Sequence, residues 1–170
     1  MTDFSSYQLG EIDQNIELST SEDNLGAVVS LCQQAGNSIY IYTHTLDPKI
    51  FNQTTCIEVL KSFVLNNRSA RIHILIRNPD RTLRSGHRLI SLARHLSSYI
   101  EIRVVHEDYA NAQEAFLVAD RRGMIHLLEG DRYDGICNFN NPRLSTELYH
   151  RFMEVWNHSA GIPEFRQIMV

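Results

Sequence analysis

The order of apolar periodicities predicts one α/β domain, a mixed and mostly parallel β-sheet with helices on both faces. Three observations carry that prediction. Between residues 20 and 105 the pattern alternates helix and strand three times over, and helical crossovers between parallel strands cover a sheet on both sides. From residue 114 the rhythm changes to closely spaced apolar runs joined by a tight turn, which adds an antiparallel hairpin. The 170 residues, 43% of them hydrophobic, suit a single core that buries roughly two thirds of the unfolded chain's surface.

The elements follow in order. Thr20 or Ser21 caps a helix whose apolar positions Leu25, Val28, Val29 and Cys32 recur at helical spacing, and Gly36 stops it. Residues 38–43 read as a buried strand. A second helix starts near Thr55, with Ile57, Leu60, Phe63 and Val64 on its core side. Residues 71–77 alternate Ile72, Ile74 and Ile76 as a strand and stop at Asn78-Pro79-Asp80. Ser85-Gly86 opens a third helix carrying Leu89, Leu92, Ala93 and Leu96, and residues 100–105 form the next strand. Residues 114–120 and 124–129 pair around Arg121-Arg122-Gly123, residues 135–139 add a short strand, and a last helix runs from near Pro142 to about Ser159. Residues 1–19 read as an acidic arm, 20–160 as the domain and 161–170 as a tail.

Composition removes whole classes. Gly and Pro together are 12 of 170 residues, so disordered and collagen-like chains are excluded. No apolar run reaches the ~18 residues of a membrane span, the start lacks a signal-peptide pattern, and three widely spaced cysteines fit no disulfide framework or zinc knuckle. A cytoplasmic, reduced protein is expected. The net charge of −4 hides an uneven layout. Residues 1–48 hold seven acids and no Lys or Arg, whereas residues 68–103 hold eight Arg against Asp80 and Glu101. Arginine favours forked contacts to carboxylates or phosphates. The acidic start lying across the basic middle is one reading; a basic face for phosphate or nucleic acid is the other.

Ligands of open α/β sheets bind beyond the carboxyl ends of the strands. Three stretches fall there: residues 44–47, 77–88 and 106–109. In the second, Arg77, Arg84, Ser85, Gly86, His87 and Arg88 surround a predicted helix start, where free N–H groups and guanidinium groups make an anion seat; solvated arginines around a capped surface helix are the plainer reading. The eight histidines include no HExxH pair, and no metal or cofactor is assigned. Cys32, Cys56 and Cys137 lie in apolar-periodic segments and read as core, and no GxSxG nucleophile motif occurs.

Asp120, preceded by Phe116-Leu117-Val118-Ala119 and followed by Arg121-Arg122-Gly123, together with Gly135-Ile136-Cys137-Asn138-Phe139, resembles the phospholipase D superfamily. There a His-x-Lys, four residues, Asp motif precedes a Gly-Ser-x-Asn segment. The resemblance implies that Asp120 holds the acidic position, Gln113 the nucleophilic His position and Ala115 the phosphate-binding Lys position. Gly135 and Asn138 match the second segment. The stretches 46–48, 86–94, 119–123 and 163–166 are similar to a bacterial group of such domains of unknown function, which occur alone or attached to an acetyltransferase. With Gln113 and Ala115 in place of His and Lys, the covalent mechanism is lost outright.

Three functions from different classes are therefore expected. The first is a non-catalytic domain that binds an anionic ligand or serves as a regulatory interaction module. The second is a phosphodiesterase or nuclease with a relocated histidine, His44, His87 or His106. The third is a structural subunit beside a partner such as an acetyltransferase. Because the superfamily builds its cleft between two domains, a homodimer is expected, with nucleic acid or a phosphate-containing ligand as the other partner.

Overall fold

The structure, a computed structural model of the chain, describes residues 2–84 and 86–166. One seven-stranded sheet runs through it. Its strands are β1 (Ile16–Leu18), β2 (Ser38–Thr43), β3 (Arg71–Ile76), β4 (Ile100–Val104), β5 (Ala115–Ala119), β6 (Gly123–Leu127) and β7 (Gly135–Asn138), in spatial order β1-β7-β6-β5-β2-β3-β4. The helices are α1 (Ser21–Gln34), α2 (Pro48–Phe51), α3 (Thr54–Leu65), α4 (Pro79–Arg84), α5 (Arg88–His95) and α6 (Pro142–His158).

The single mixed α/β sheet is as the sequence predicts, but the balance of directions is reversed. Only β2–β3 and β3–β4 pair in parallel; the other four pairings are antiparallel. The hairpin β5–β6 inserts next to β2 with β5 running against it, β7 continues the meander, and β1 adds a further reversed strand. β1 lies inside the stretch read as an acidic arm, and Phe4 in the same stretch is buried beside Phe139.

Both faces carry helices because both faces of the strands are apolar. Ile39, Ile41, Ile72, Ile74, Leu117 and Ile125 pack under α1, α3 and α5. Tyr42, Leu75, Phe116, Val118 and Met124 pack under Leu148, Phe152, Val155 and Trp156 of α6. The α1 stripe is rotated slightly from the expected one: Ala27, Val28, Leu31 and Cys32 are buried, while Leu25 and Val29 lie at its margin. Among the described residues no helix is long and apolar enough to cross a membrane.

Strand register gathers several strand ends at one edge of the molecule. Tyr42 lies opposite Phe116 and Thr43 beside Ile76, so the carboxyl ends of β2 and β3 meet the start of β5 at one end of the sheet. Ala115 opposite Leu127 brings the end of β6 to the same place. The β5–β6 turn lies at the opposite end.

Candidate anion-binding cleft

Beyond the carboxyl ends of β2 and β3 the structure opens into a cleft of about 890 Å³. Its roof is the chain after β2. Leu46 is buried with a φ of 48°, a left-handed conformation that a branched side chain adopts only when its surroundings hold it. The hold is His87, whose Nε2–H donates to the Leu46 carbonyl at 3.0 Å. Asp47 then caps α2 by accepting the Lys49 N–H at 2.9 Å. Its other oxygen accepts the Tyr133 hydroxyl at 2.6 Å, a bond that pushes the phenol up to about 12. Asn24 donates to the Tyr133 carbonyl at 2.9 Å, so the β6–β7 loop is fastened along the lip.

Arg77 leaves β3 into this cleft. It donates to the carbonyl oxygens of Ala110 and Ala112, and its Nη1 lies 2.7 Å from His44 Nε2. No described carboxylate forms an ion pair with it. Two of a guanidinium's five N–H groups thereby go to backbone carbonyls, and a third faces the His44 ring.

His44 Nε2 also lies 3.1 Å from the Gln113 carbonyl, which accepts the Gly130 N–H at 2.7 Å. A single ring nitrogen either accepts from Arg77 or donates to Gln113, never both. Burial first, and then the charge of Arg77, lower the His44 pKa, so the ring is neutral at pH 7. Gly130 makes this packing feasible: a Cβ there would lie 2.5 Å from His44 Nε2.

Tyr42 lines the same cleft with its ring stacked on Phe116 at 5.1 Å. It is 3% exposed, and its hydroxyl finds no hydrogen-bond partner among the described residues. Burial raises its phenol, and Arg77 pulls the other way. Arg81 on α4 reaches the rim, where Asp131 is the opposing exposed charge.

The residues named from the sequence divide between places. Arg77, His44 and Ala115 line the cleft, and Gln113 meets it through its carbonyl. His87 is buried at the start of α5, its Nδ1 accepting the Leu89 N–H at 3.1 Å, so both ring nitrogens hold the fold. Arg88 is tied to Asn52 and to the Thr54 hydroxyl, Arg84 contacts the carbonyl of Asp80 on its own helix, and Gly86 is exposed with a φ of 62°. Ser85 lies outside the described residues. His106 caps the turn at Glu107–Tyr109.

Asp120 stands at the far end of the sheet with a φ of 55°. Its carboxylate accepts the N–H groups of Gly36, Asn37 and Ser38 at 2.8, 2.7 and 3.0 Å. Asn138, also at that end, donates to the side chains of Asp13 and Asn15 at 2.7 and 2.9 Å. Gly135 lies at the cleft end, where β7 passes so close to β6 that a Cβ would meet the His126 carbonyl oxygen at 2.5 Å.

Sequence reasoning missed Tyr42 and Gly130, and held Arg81 only as part of the stretch 77–88 without singling it out. Arg81 sits on a helix hidden behind the Asn78-Pro79-Asp80 stop signal, although Pro at a first helical position is itself a start signal. The unpartnered Tyr42 hydroxyl and the Gly130–His44 approach are tertiary facts with no local signature. The three cysteines are buried and free, as their periodicity suggests, and burial pushes Cys56 and Cys137 up to about 12.

A comparison with curated proteins finds no match. Solved structures share the fold at low identity. The archaeal chromatin protein TrmBL2, whose structure shows a novel mode of DNA binding, superposes with a TM-score of 0.65 at 14% identity over 89% of this chain and 55% of its own. The chain thus spans about half of that protein. NucT from Helicobacter pylori matches with a TM-score of 0.59 at 11% identity, covering 89% of this chain and all of its own. Phosphatidylserine synthase of Haemophilus influenzae Rd KW20 matches with a TM-score of 0.53 at 11% identity, over 84% of this chain and 38% of its own. At the level of sequence families, the match runs through residues 20–168, and the chain belongs to the family described as Domain of unknown function (DUF7931).

Proposed function

We propose that this is a phospholipase-D-like domain that holds an anionic ligand in the cleft without cleaving it, and so acts as a binding or regulatory module. The observation that carries this is Arg77. A partly buried guanidinium facing a cleft, balanced by backbone carbonyls and a neutral imidazole instead of a carboxylate, leaves a positive charge for a ligand to neutralise. Gln113 and Ala115 supply neither nucleophile nor ammonium at the motif positions, and Asp120 is committed to backbone N–H groups at the other end of the sheet.

A second reading has its own support. His44 Nε2 lies 3.1 Å from the Gln113 carbonyl, beside the position that the motif gives to the nucleophile, so His44 stands as a relocated histidine for phosphodiester chemistry. One experiment separates the two. Inorganic phosphate and a short DNA duplex are titrated at two salt concentrations against the wild type and Arg77→Gln, and a generic phosphodiester is assayed in parallel. The binding reading expects saturable phosphate binding that Arg77→Gln weakens about tenfold or more, with no turnover. Turnover that His44→Ala abolishes replaces it with the enzymatic reading. The absence of both binding and turnover removes both.

A further inference from the structure

We propose that an anion enters this cleft together with a proton, and that His44 takes the proton up. This rests on the anion reading above and adds its regulation by pH. Its basis is one shared atom. His44 Nε2 lies 2.7 Å from Arg77 Nη1 and 3.1 Å from the Gln113 carbonyl oxygen. Arg77 only donates, so toward it the nitrogen presents its lone pair; the carbonyl only accepts, so toward it the nitrogen carries a hydrogen. The two arrangements exclude each other. Without a hydrogen on Nε2, the imidazole accepts a guanidinium N–H and helps to satisfy Arg77. With a solvent proton added there, Nε2–H donates to Gln113, and that Arg77 N–H loses its acceptor and turns to an anionic oxygen. The Gln113 carbonyl already accepts the Gly130 N–H at 2.7 Å and has a second lone pair for His44.

The charges around the ring set the direction of the coupling. The cations lining the cleft are Arg77, Arg81 and Arg132, and the anions are Asp47 and Asp131. Arg132 lies 3.3 Å from Asp134 and 3.8 Å from Glu129, and Asp47 is tied to the Lys49 N–H and the Tyr133 hydroxyl. At His44 burial and then Arg77 disfavour the charged ring, whereas the Gln113 carbonyl, Asp131 and the Glu114 backbone favour it. His44 and Arg77 both line the cleft, so an anion held by Arg77 stands beside the ring. It offsets the repulsion between guanidinium and imidazolium and adds an attraction of its own. Moving the ring's own hydrogen from Nδ1 to Nε2 makes the same switch without charge, but the neighbouring anion favours the cation. The coupling is reciprocal: an anion that raises the proton affinity of His44 is itself bound more tightly as protons are added.

The probe is sulfate, which stays a dianion throughout the range of about pH 5 to 8 in which histidine titrates. Its binding to the wild-type chain is measured by calorimetry at stepped pH, in buffers of different ionisation enthalpy that count the protons taken up. The expected result is an affinity that rises on acidification by up to about tenfold per pH unit, with uptake of up to about one proton. Acid destabilisation of the fold works against binding and does not imitate this rise. In His44→Gln, whose amide takes up no proton, both the rise and the uptake disappear; their persistence there assigns them to other groups and overturns the proposal. Should that variant not fold or not bind, the wild-type ring decides. Its NMR titration moves to higher pH in saturating sulfate, and an unmoved His44 titration overturns the coupling. Sulfate bound without pH dependence or proton uptake also overturns the coupling and leaves the anion reading standing. No sulfate binding at any pH removes the anion reading, and the coupling with it.

Discussion

Gly130 and His44 compete for one small space, and the glycine's missing side chain settles the competition. In Gly130→Ala the new Cβ meets His44 Nε2 at 2.5 Å, Cδ2 at 2.8 Å and the Ala115 Cβ at 3.0 Å, so the imidazole must leave its place against Arg77. The expected cost is about 1–3 kcal/mol, read by urea unfolding. An NMR titration should show the His44 pKa returning toward 6.5, because displacement relieves the burial that lowers it. An unchanged His44 titration refutes this account of the packing. At this scale little of the site was legible. The residue types Arg77 and His44 mark chemistry in any sequence, but the partners of Arg77 are backbone carbonyls, which every residue carries. No pattern of side chains announces them.

Single residues also decide how elements are joined. Asp120 fastens the β5–β6 turn to the loop that feeds β2, accepting three backbone N–H groups while held in a left-handed conformation. Asp120→Ala is expected to lose about 1–3 kcal/mol, since hydrogen bonds to a charged group exceed neutral ones. Phosphate affinity of the molecules that remain folded should be unaffected, because the cleft lies at the other end of the sheet. A selective loss of binding without loss of stability contradicts that division. The motif reading identified Asp120 from its flanking strand and turn but gave no distance to the cleft. The helix starts show a similar limit. Ser85-Gly86 reads as the opening of α5, yet the cap is His87, whose Nδ1 accepts the Leu89 N–H where Ser, Thr, Asp or Asn is the usual signal. β1, α2 and α4 span three, four and six residues, too short for a periodicity to register, and they exist because longer elements offer edges and surfaces to cover.

The whole molecule carries a consequence of burying imidazoles. His44, His73 and His87 all have pKa values lowered first by burial; Arg77 adds to this at His44 and Arg88 at His87, while Glu101 partly opposes it at His73. In the unfolded chain these groups take up a proton near 6.5, and in the folded chain only at lower pH. The unfolded state therefore binds more protons in that window, and stability falls as pH drops from about 6.5 through the folded values. At Glu114 burial works upward, but the hydrogen bond to His126 and the charge of Arg151 outweigh it, so its carboxyl ends below the usual range. It extends the loss below 4.5. Thermal unfolding between pH 8 and 4 should show a plateau above about 6.5 and a continuous decline below it; a melting temperature that rises on acidification refutes the assignment. At this scale the sequence was most readable. The long periodic helices and the central strands appear where their patterns put them, since burial of their apolar faces decides both pattern and fold. The mostly parallel reading failed where strand direction depends on which neighbour a hairpin chooses, and β5 chose β2. The electrostatic layout has a further bearing on selectivity. Arg77 is partly buried and pairs with no described carboxylate, whereas Arg68, Arg71, Arg81, Arg84 and Arg88 are exposed. Added salt screens the exposed charges more than the enclosed one, so phosphate binding that depends on Arg77 should lose less affinity between two salt concentrations than any binding of a duplex to the exposed arginines.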